Sequence, residues 1–220
     1  MIRMLCFGAL LALAVCGASA DEYWIAYEGN DFPENVGWTR GTSGGGAIRF
    51  LERGNLVIDS RASIQISDFY SMDLRGSLDP DPGEIFVAQW RILIEEVNGL
   101  RDPAFEIRSD DRWALVLYFD EATVGSPFEP GIRASFEPGV YHRFEVRSSD
   151  MRRYELYIDE SLAITGALHQ GLFQSQVSWG DGFQGSASLT RWDYFRFGVV
   201  PEPSTAFMAA FALISRRATA

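Results

Sequence analysis

Apolar residues recur at every second position in several short stretches of the chain. In the run from Phe86 to Ile94, the residues Phe86, Ala88, Trp90, Ile92 and Ile94 form one set, while Gln89 and Arg91 fall between them. A period of two sends those sets to opposite faces of a sheet. Phe144 and Val146 alternate with Arg143, Glu145 and Arg147 in the same way, and Tyr154, Leu156 and Ile158 alternate with Arg153, Glu155, Tyr157 and Asp159. With Ser148-Ser149-Asp150 between them, these two stretches predict a hairpin with one dry and one wet face. Further strands are predicted at residues 47–50, 55–59, 62–66, 132–136, 176–179 and 188–197. Residues 113–119 are apolar on both faces, which predicts a central strand. Turn residues separate the segments at Arg53-Gly54-Asn55, Asp79-Pro80-Asp81-Pro82-Gly83, Glu129-Pro130-Gly131 and Glu137-Pro138-Gly139. No long stretch has helical periodicity. The pattern predicts an all-β chain of two antiparallel sheets packed face to face.

Three stretches carry a resemblance. Gly139-Val140-Tyr141-His142-Arg143-Phe144-Glu145-Val146, followed by the run from Tyr154 to Glu160, resembles the paired strands of concanavalin A-like, laminin-G-type jelly rolls. Trp192-Asp193-Tyr194-Phe195-Arg196-Phe197 is similar to their closing strand, which in that family returns beside the first. The resemblance implies one jelly-roll sandwich over residues 21–198. Many functions occupy that architecture, so the fold alone licenses no activity.

The chain ends read as addresses. Arg3, an apolar stretch over residues 5–15 and the small residues Ala18 and Ala20 before Asp21 describe a secretory signal peptide over residues 1–20. Leu13-Ala14-Val15-Cys16 offers a competing lipoprotein reading, with Val15 bulkier than such a box requires. At the other end, Val200-Pro201-Glu202-Pro203 leads into an apolar run over residues 206–214 that Arg216 and Arg217 close. This arrangement over residues 199–220 resembles the PEP-CTERM sorting signal of exopolysaccharide-producing Gram-negative bacteria. The resemblance implies an exosortase as partner, transient membrane association through the tail, and delivery of the body to the cell surface or extracellular matrix. The apolar run is shorter than the roughly 20 residues that span a bilayer.

Composition narrows the chemistry. Both cysteines, Cys6 and Cys16, lie in the predicted leader, so the remaining chain can form no disulfide and no thiolate metal site. A secreted domain without disulfides needs a core large enough to stand alone. All 19 basic residues are arginine. Schiff-base lysines, phosphate-loop lysines and the Ser-x-x-Lys pattern are thereby excluded. A net charge of −11 disfavours nucleic acid as a partner.

Candidate chemistry is sparse. Laminarinase-type glucanases of the resembling fold carry Glu-x-Asp-x-Glu on one strand, and this chain has no such triplet. Asp159-Glu160 and Glu95-Glu96 are adjacent and would face opposite ways on a strand. No catalytic residue is therefore predicted, although carboxylates from separate strands leave a polysaccharide-active enzyme as the alternative. His142 and His169 are the only histidines, and the register of His142 predicts a core residue with satisfied nitrogens. Gly180-Asp181-Gly182-Phe183-Gln184-Gly185 matches Gly-x-Gly-x-x-Gly, but a strand follows where a dinucleotide site needs a helix. No cofactor is expected. The Asp79, Asp81 and Glu84 loop offers oxygens to calcium in an incomplete ligand pattern. For sugar contact the candidates are Trp179, Asp181, Trp192, Tyr194 and Arg196, since sugars stack apolar faces on aromatic rings beside polar groups. The two tryptophans serve equally well as caps on the core. Together these features predict a non-enzymatic surface or matrix protein with weak affinity for extracellular polysaccharide, a protein-binding module being a further alternative.

Overall fold

A computed structural model describes residues 25–74, 78–99, 103–109, 113–171, 175–181 and 185–202. Among them it holds sixteen strands, one 3-10 turn at Pro33–Val36 and no α-helix. The first sheet contains β1 (Ile25–Tyr27), β3 (Ile48–Glu52), β4 (Asn55–Asp59), β6 (Glu84–Asn98), β11 (Tyr141–Ser148), β12 (Arg153–Ile158), β13 (Ser161–Ala167) and β16 (Ala187–Pro201). Its order is β13-β12-β11-β6-β16-β4-β3, and β1 also pairs with β16. The second contains β2 (Thr39–Ser43), β5 (Ser67–Asp73), β7 (Ala104–Arg108), β8 (Trp113–Phe119), β9 (Thr123–Gly125), β10 (Arg133–Ser135), β14 (His169–Gln170) and β15 (Gln176–Asp181). Its order is β10-β9-β8-β7-β15-β5-β2, with β14 beside β8. The ladders are antiparallel, and the closing strand returns beside the first, with Tyr27 opposite Phe195.

Alternation explains which residues meet. Phe86, Ala88, Trp90, Ile92 and Ile94 of β6 are all buried and belong to one core between the sheets. Trp90 stacks on Phe105 at 4.7 Å and on Phe144 at 5.7 Å. Trp179 lies 5.4 Å from Phe195 and 4.7 Å from Trp192. Aromatic pairs add about 0.5–1.5 kcal/mol beyond their area burial, so this spine fixes the sheets against each other as well as excluding water. Residues 113–119 are central, as expected: Leu115, Leu117 and Phe119 enter the core, while Val116 and Tyr118 pack with Ala104 on the outer face.

The hairpin turns follow from backbone conformation. β3 and β4 are joined by Arg53-Gly54, and β12 and β13 by Asp159-Glu160, with positive φ at all four residues. Such two-residue loops match the right-handed twist of the strands they join. Asp159 accepts that conformation while anchored by the Arg143 N–H at 2.9 Å and the His142 ring at 2.6 Å. His142 is buried, and its other nitrogen meets the Glu137 carbonyl at 2.8 Å, so both ring nitrogens are satisfied.

Two expectations are corrected. Residues 62–66 are not a strand, because serine-centred turns (Ser63 N–H to Ser60 O, Ile66 N–H to Ser63 O) delay the strand to Ser67. The closing strand does not stop at Phe197. Val199, Val200 and Pro201 continue it opposite Phe86, Ile85 and Glu84, and the Glu202 N–H donates to Gly83 O at 2.8 Å. Pro201, which cannot donate to a ladder, takes its last position. The rest of the sorting-tail expectation, Pro203, Arg216 and Arg217, lies outside the described residues, as do Ala18 and Ala20 of the leader.

Candidate ligand cleft on the second sheet

The five residues predicted for sugar contact do not converge. Trp179 and Trp192 are buried and touch each other inside the sandwich, so neither offers a ring face to solvent. Asp181 is buried as well, two residues along β15 on the same inward side as Trp179. Tyr194 and Arg196 lie on the outer face of the first sheet, where Arg196 stacks over Tyr194 at 4.5 Å and grips Glu28 through two bonds of 2.9 and 2.8 Å. Burial pushes the Tyr194 hydroxyl above the ordinary tyrosine value. A bulge explains the split between Trp192 and Tyr194. The ladder of β16 shifts register between them, so two residues that simple alternation places together face opposite ways.

A different set does converge, on the outer face of the second sheet. Register places Gly41, Phe69, Gly180, Ala104 and Tyr118 in one row across β2, β5, β15, β7 and β8. The next row runs Thr39, Ser71, Ser178, Glu106 and Val116, and a third runs Asp73, Gln176, Arg108 and Ala114. Glycine, serine and alanine in the middle of these rows leave a trough. It forms a cleft of about 490 Å³ lined by Thr39, Gly41, Phe69, Ser71, Glu106 and Arg108 among others.

The lining is mixed. The Phe69 ring lies against Gly41, where a Cβ would overlap its edge. Here glycine is required by close approach and not by backbone angle. Glu106 accepts two bonds from its strand neighbour Arg108, at 2.8 and 3.0 Å, and lies 3.4 Å from the Ser178 hydroxyl. The Gln176 amide donates to Asp73 at 3.0 Å. The cleft thus sets one aromatic platform beside hydroxyls, an amide, a carboxylate and a guanidinium. That combination receives a ligand with an apolar face and several hydroxyl groups. Glu106 and Arg108 escape the strand prediction above, although Ala104-Phe105-Glu106-Ile107-Arg108 alternates plainly. The signal was there, in a segment only five residues long.

No protein-family model matches this chain, and no curated protein sequence does. Solved structures do match. A carbohydrate esterase from the Shiga toxin-encoding bacteriophage phi24B superposes with a TM-score of 0.59 at 10% identity, over 81% of this chain and 98% of that one. A cellulose-induced protein, Cip1, gives 0.54 at 12% identity, over 80% and 96%. A prokaryotic beta-1,3-1,4-glucanase (lichenase) derived from a mouse hindgut metagenome gives 0.52 at 10% identity, over 80% and 99%. The fold is a concanavalin A-like jelly roll. At such identities the likeness reaches the fold and stops there.

The remaining candidates are reported by position. The Asp79–Glu84 loop closes on itself, with the Glu84 N–H donating to Asp81 O at 2.9 Å and the Asp81 N–H to a Glu84 carboxylate oxygen at 3.2 Å. Among the described residues, no three His, Asp or Glu side chains gather in a metal-ligating group. Asp159 and Glu160 lie in a turn and not on a strand, and Glu95 and Glu96 bond to Arg191 and Arg61 respectively.

Proposed function

We propose that this protein is a secreted, non-enzymatic jelly-roll component of a cell surface or extracellular matrix that binds polysaccharide in the cleft over the second sheet. The observation that carries this reading is the Phe69 ring, whose outer edge lies against Gly41 in a cleft shared with Ser178, Glu106, Arg108 and Gln176. Sugar rings stack on aromatic faces and spend their hydroxyls on neighbouring polar groups. Similarity in fold to a carbohydrate esterase and a lichenase supports a glycan as the ligand class. The N-terminal leader and the PEP-CTERM-like tail support export, with an exosortase acting on the tail. Calcium has no role in this reading.

Isothermal titration against neutral and acidic polysaccharides tests it. The expected result is weak binding that Phe69→Ala reduces about tenfold, the scale of one lost stacking contact, with no new reducing ends. Binding untouched by Phe69→Ala would place the ligand elsewhere. A second reading, a polysaccharide-active enzyme, is favoured by the Glu106 carboxylate in the cleft. It predicts reducing ends that Glu106→Gln abolishes. Retaining hydrolysis needs a second carboxyl about 5 Å away, whereas the nearest charged partner of Glu106 is Arg108. Sorting is tested separately by replacing Pro201, Glu202 and Pro203 with alanine. An unchanged C-terminal mass and unchanged cell fraction would remove the sorting reading.

A further inference from the structure

Of the four strands that end the two sheet paths, three are blunted. β10 has only three residues, Arg133 to Ser135. β2 is interrupted by Gly41, against which the outer edge of the Phe69 ring packs. β13 meets its neighbour through a register shift at Leu156/Tyr157. β3 is different. It runs Ile-Arg-Phe-Leu-Glu with no proline or glycine, and nothing among the described residues pairs with its outer edge. Its apolar side chains are nevertheless open to solvent: Ile48 is 62% exposed, Phe50 42% and Leu51 38%. A strand edge in that state offers a row of free backbone donors and acceptors framed by apolar contacts, which is a template for another extended strand.

We infer that β3 is the contact through which two copies of this chain associate, by antiparallel pairing about a twofold axis at Phe50. Charge and face together select the register. Ile48, Phe50 and Glu52 point to the outer face of the first sheet, opposite Asp59, Val57 and Asn55 of β4, whereas Arg49 and Leu51 point to the core side with Ile58 and Leu56. Registers that put a residue of one face opposite a residue of the other would turn one copy inside out, which leaves steps of two. Centring the axis on Arg49 would oppose Arg49 to its own copy. Centring it on Leu51 would oppose Arg49 to Arg53. Centred on Phe50, the pairs are Phe50 with Phe50, Arg49 with Leu51 and Ile48 with Glu52, and no like charges meet. Directly opposed like charges destabilise a ladder, while cross-strand aromatic pairs stabilise it. The strand carries its cation near one end and its anion at the other, so antiparallel self-pairing brings unlike ends together. The product is one continuous sheet shared by two copies through the same patch on each.

The test uses the full chain with Cys6→Ser and Cys16→Ser, so that an introduced cysteine is the only one. Light scattering across a wide concentration range reads the mass, and oxidation reads the register. The expected mass is that of two copies, halved by Phe50→Lys and unchanged by Leu162→Lys on the opposite edge strand, with melting temperature confirming that both variants fold. Phe50→Cys should crosslink readily, because directly opposed Cα atoms at about 4.5–5.5 Å fall within disulfide range. Ile48→Cys, whose symmetry mate lies four residues away along the strand, should crosslink at a small fraction of that rate. A single-copy mass at every concentration overturns the proposal. So does a two-copy mass that Phe50→Lys leaves intact, equal crosslinking at the two positions, or a single-copy chain that takes up an added extended peptide at this edge.

Discussion

The two outer faces of the sandwich are built by the same alternation and do opposite things. On the first sheet the outward positions are long and charged, and they bind one another. Arg91 reaches Asp193 at 2.6 Å and stacks over Tyr141, Arg147 pairs with Glu145 over Tyr157, and Arg191 bridges Glu52 and Glu95. On the second sheet many of the outward positions are small: Gly41 of the end strand β2, and Ser71, Ala104, Ser178 and Gly180 of β5, β7 and β15, set among Phe69, Glu106, Arg108 and Gln176. One face fills its own space with side chains. The other leaves a trough. Exposed ion pairs contribute only about 0–1 kcal/mol each, so the charged face is not where the stability resides. Its net effect is to keep a sheet surface wetted and occupied, which leaves the opposite face and the β3 edge as the places where something else can bind.

The largest expected effect comes from the core both faces share. Trp90 touches Phe105, Phe119, Phe144 and Phe195 from both sheets. Trp90→Ala should cost about 3–5 kcal/mol in urea unfolding, and it should weaken binding in the cleft only through loss of folded protein. A cost below about 1 kcal/mol would mean that the sheets are held mainly by their surfaces.

Next comes a change confined to the trough. Gly41→Ala drives a methyl group into the Phe69 ring. It should lower polysaccharide affinity by about as much as Phe69→Ala, at a stability cost of about 1–3 kcal/mol from overpacking. Calorimetry and thermal melts on the same samples separate the two quantities. Unchanged affinity would show that the small floor is a structural accident and not a binding feature.

The smallest effect is expected on the charged face, and it depends on pH. The bond from Arg191, with its charge, holds the Glu52 carboxyl below its ordinary value of 4.5. A carboxyl whose folded value is depressed contributes stability above its unfolded value and loses it as pH falls through the folded one. The contribution of this pair is therefore complete at neutral pH and fades below 4.5. Arg191→Gln should lower stability slightly at neutral pH and converge on the parent in acid. A constant offset at every pH would assign the role of Arg191 to packing.

Much of the framework is legible residue by residue. The short apolar runs within 55–59 and 113–119 predict the strands with the bounds that β4 and β8 have, and His142 occupies the satisfied position that its register implies. The cleft is less legible, because its rows join residues far apart in the chain: Thr39, Ser71, Ser178 and Glu106 meet only through the order β7-β15-β5-β2. Trp192, Tyr194 and Arg196 do not share one face, for a local reason. Simple alternation carries no mark of the bulge beside Asp193 that reverses which way the strand faces.

By itself, the sequence determined that this chain makes two-faced strands and which residues of a regular strand share a face. Period-two alternation and the cost of exposing large apolar side chains act locally and along the chain. Only the tertiary structure decided which polar face would be crowded and which hollow, and which strand would be left at an edge. Those outcomes depend on strand order and register. Both are set by contacts between segments that no local pattern relates.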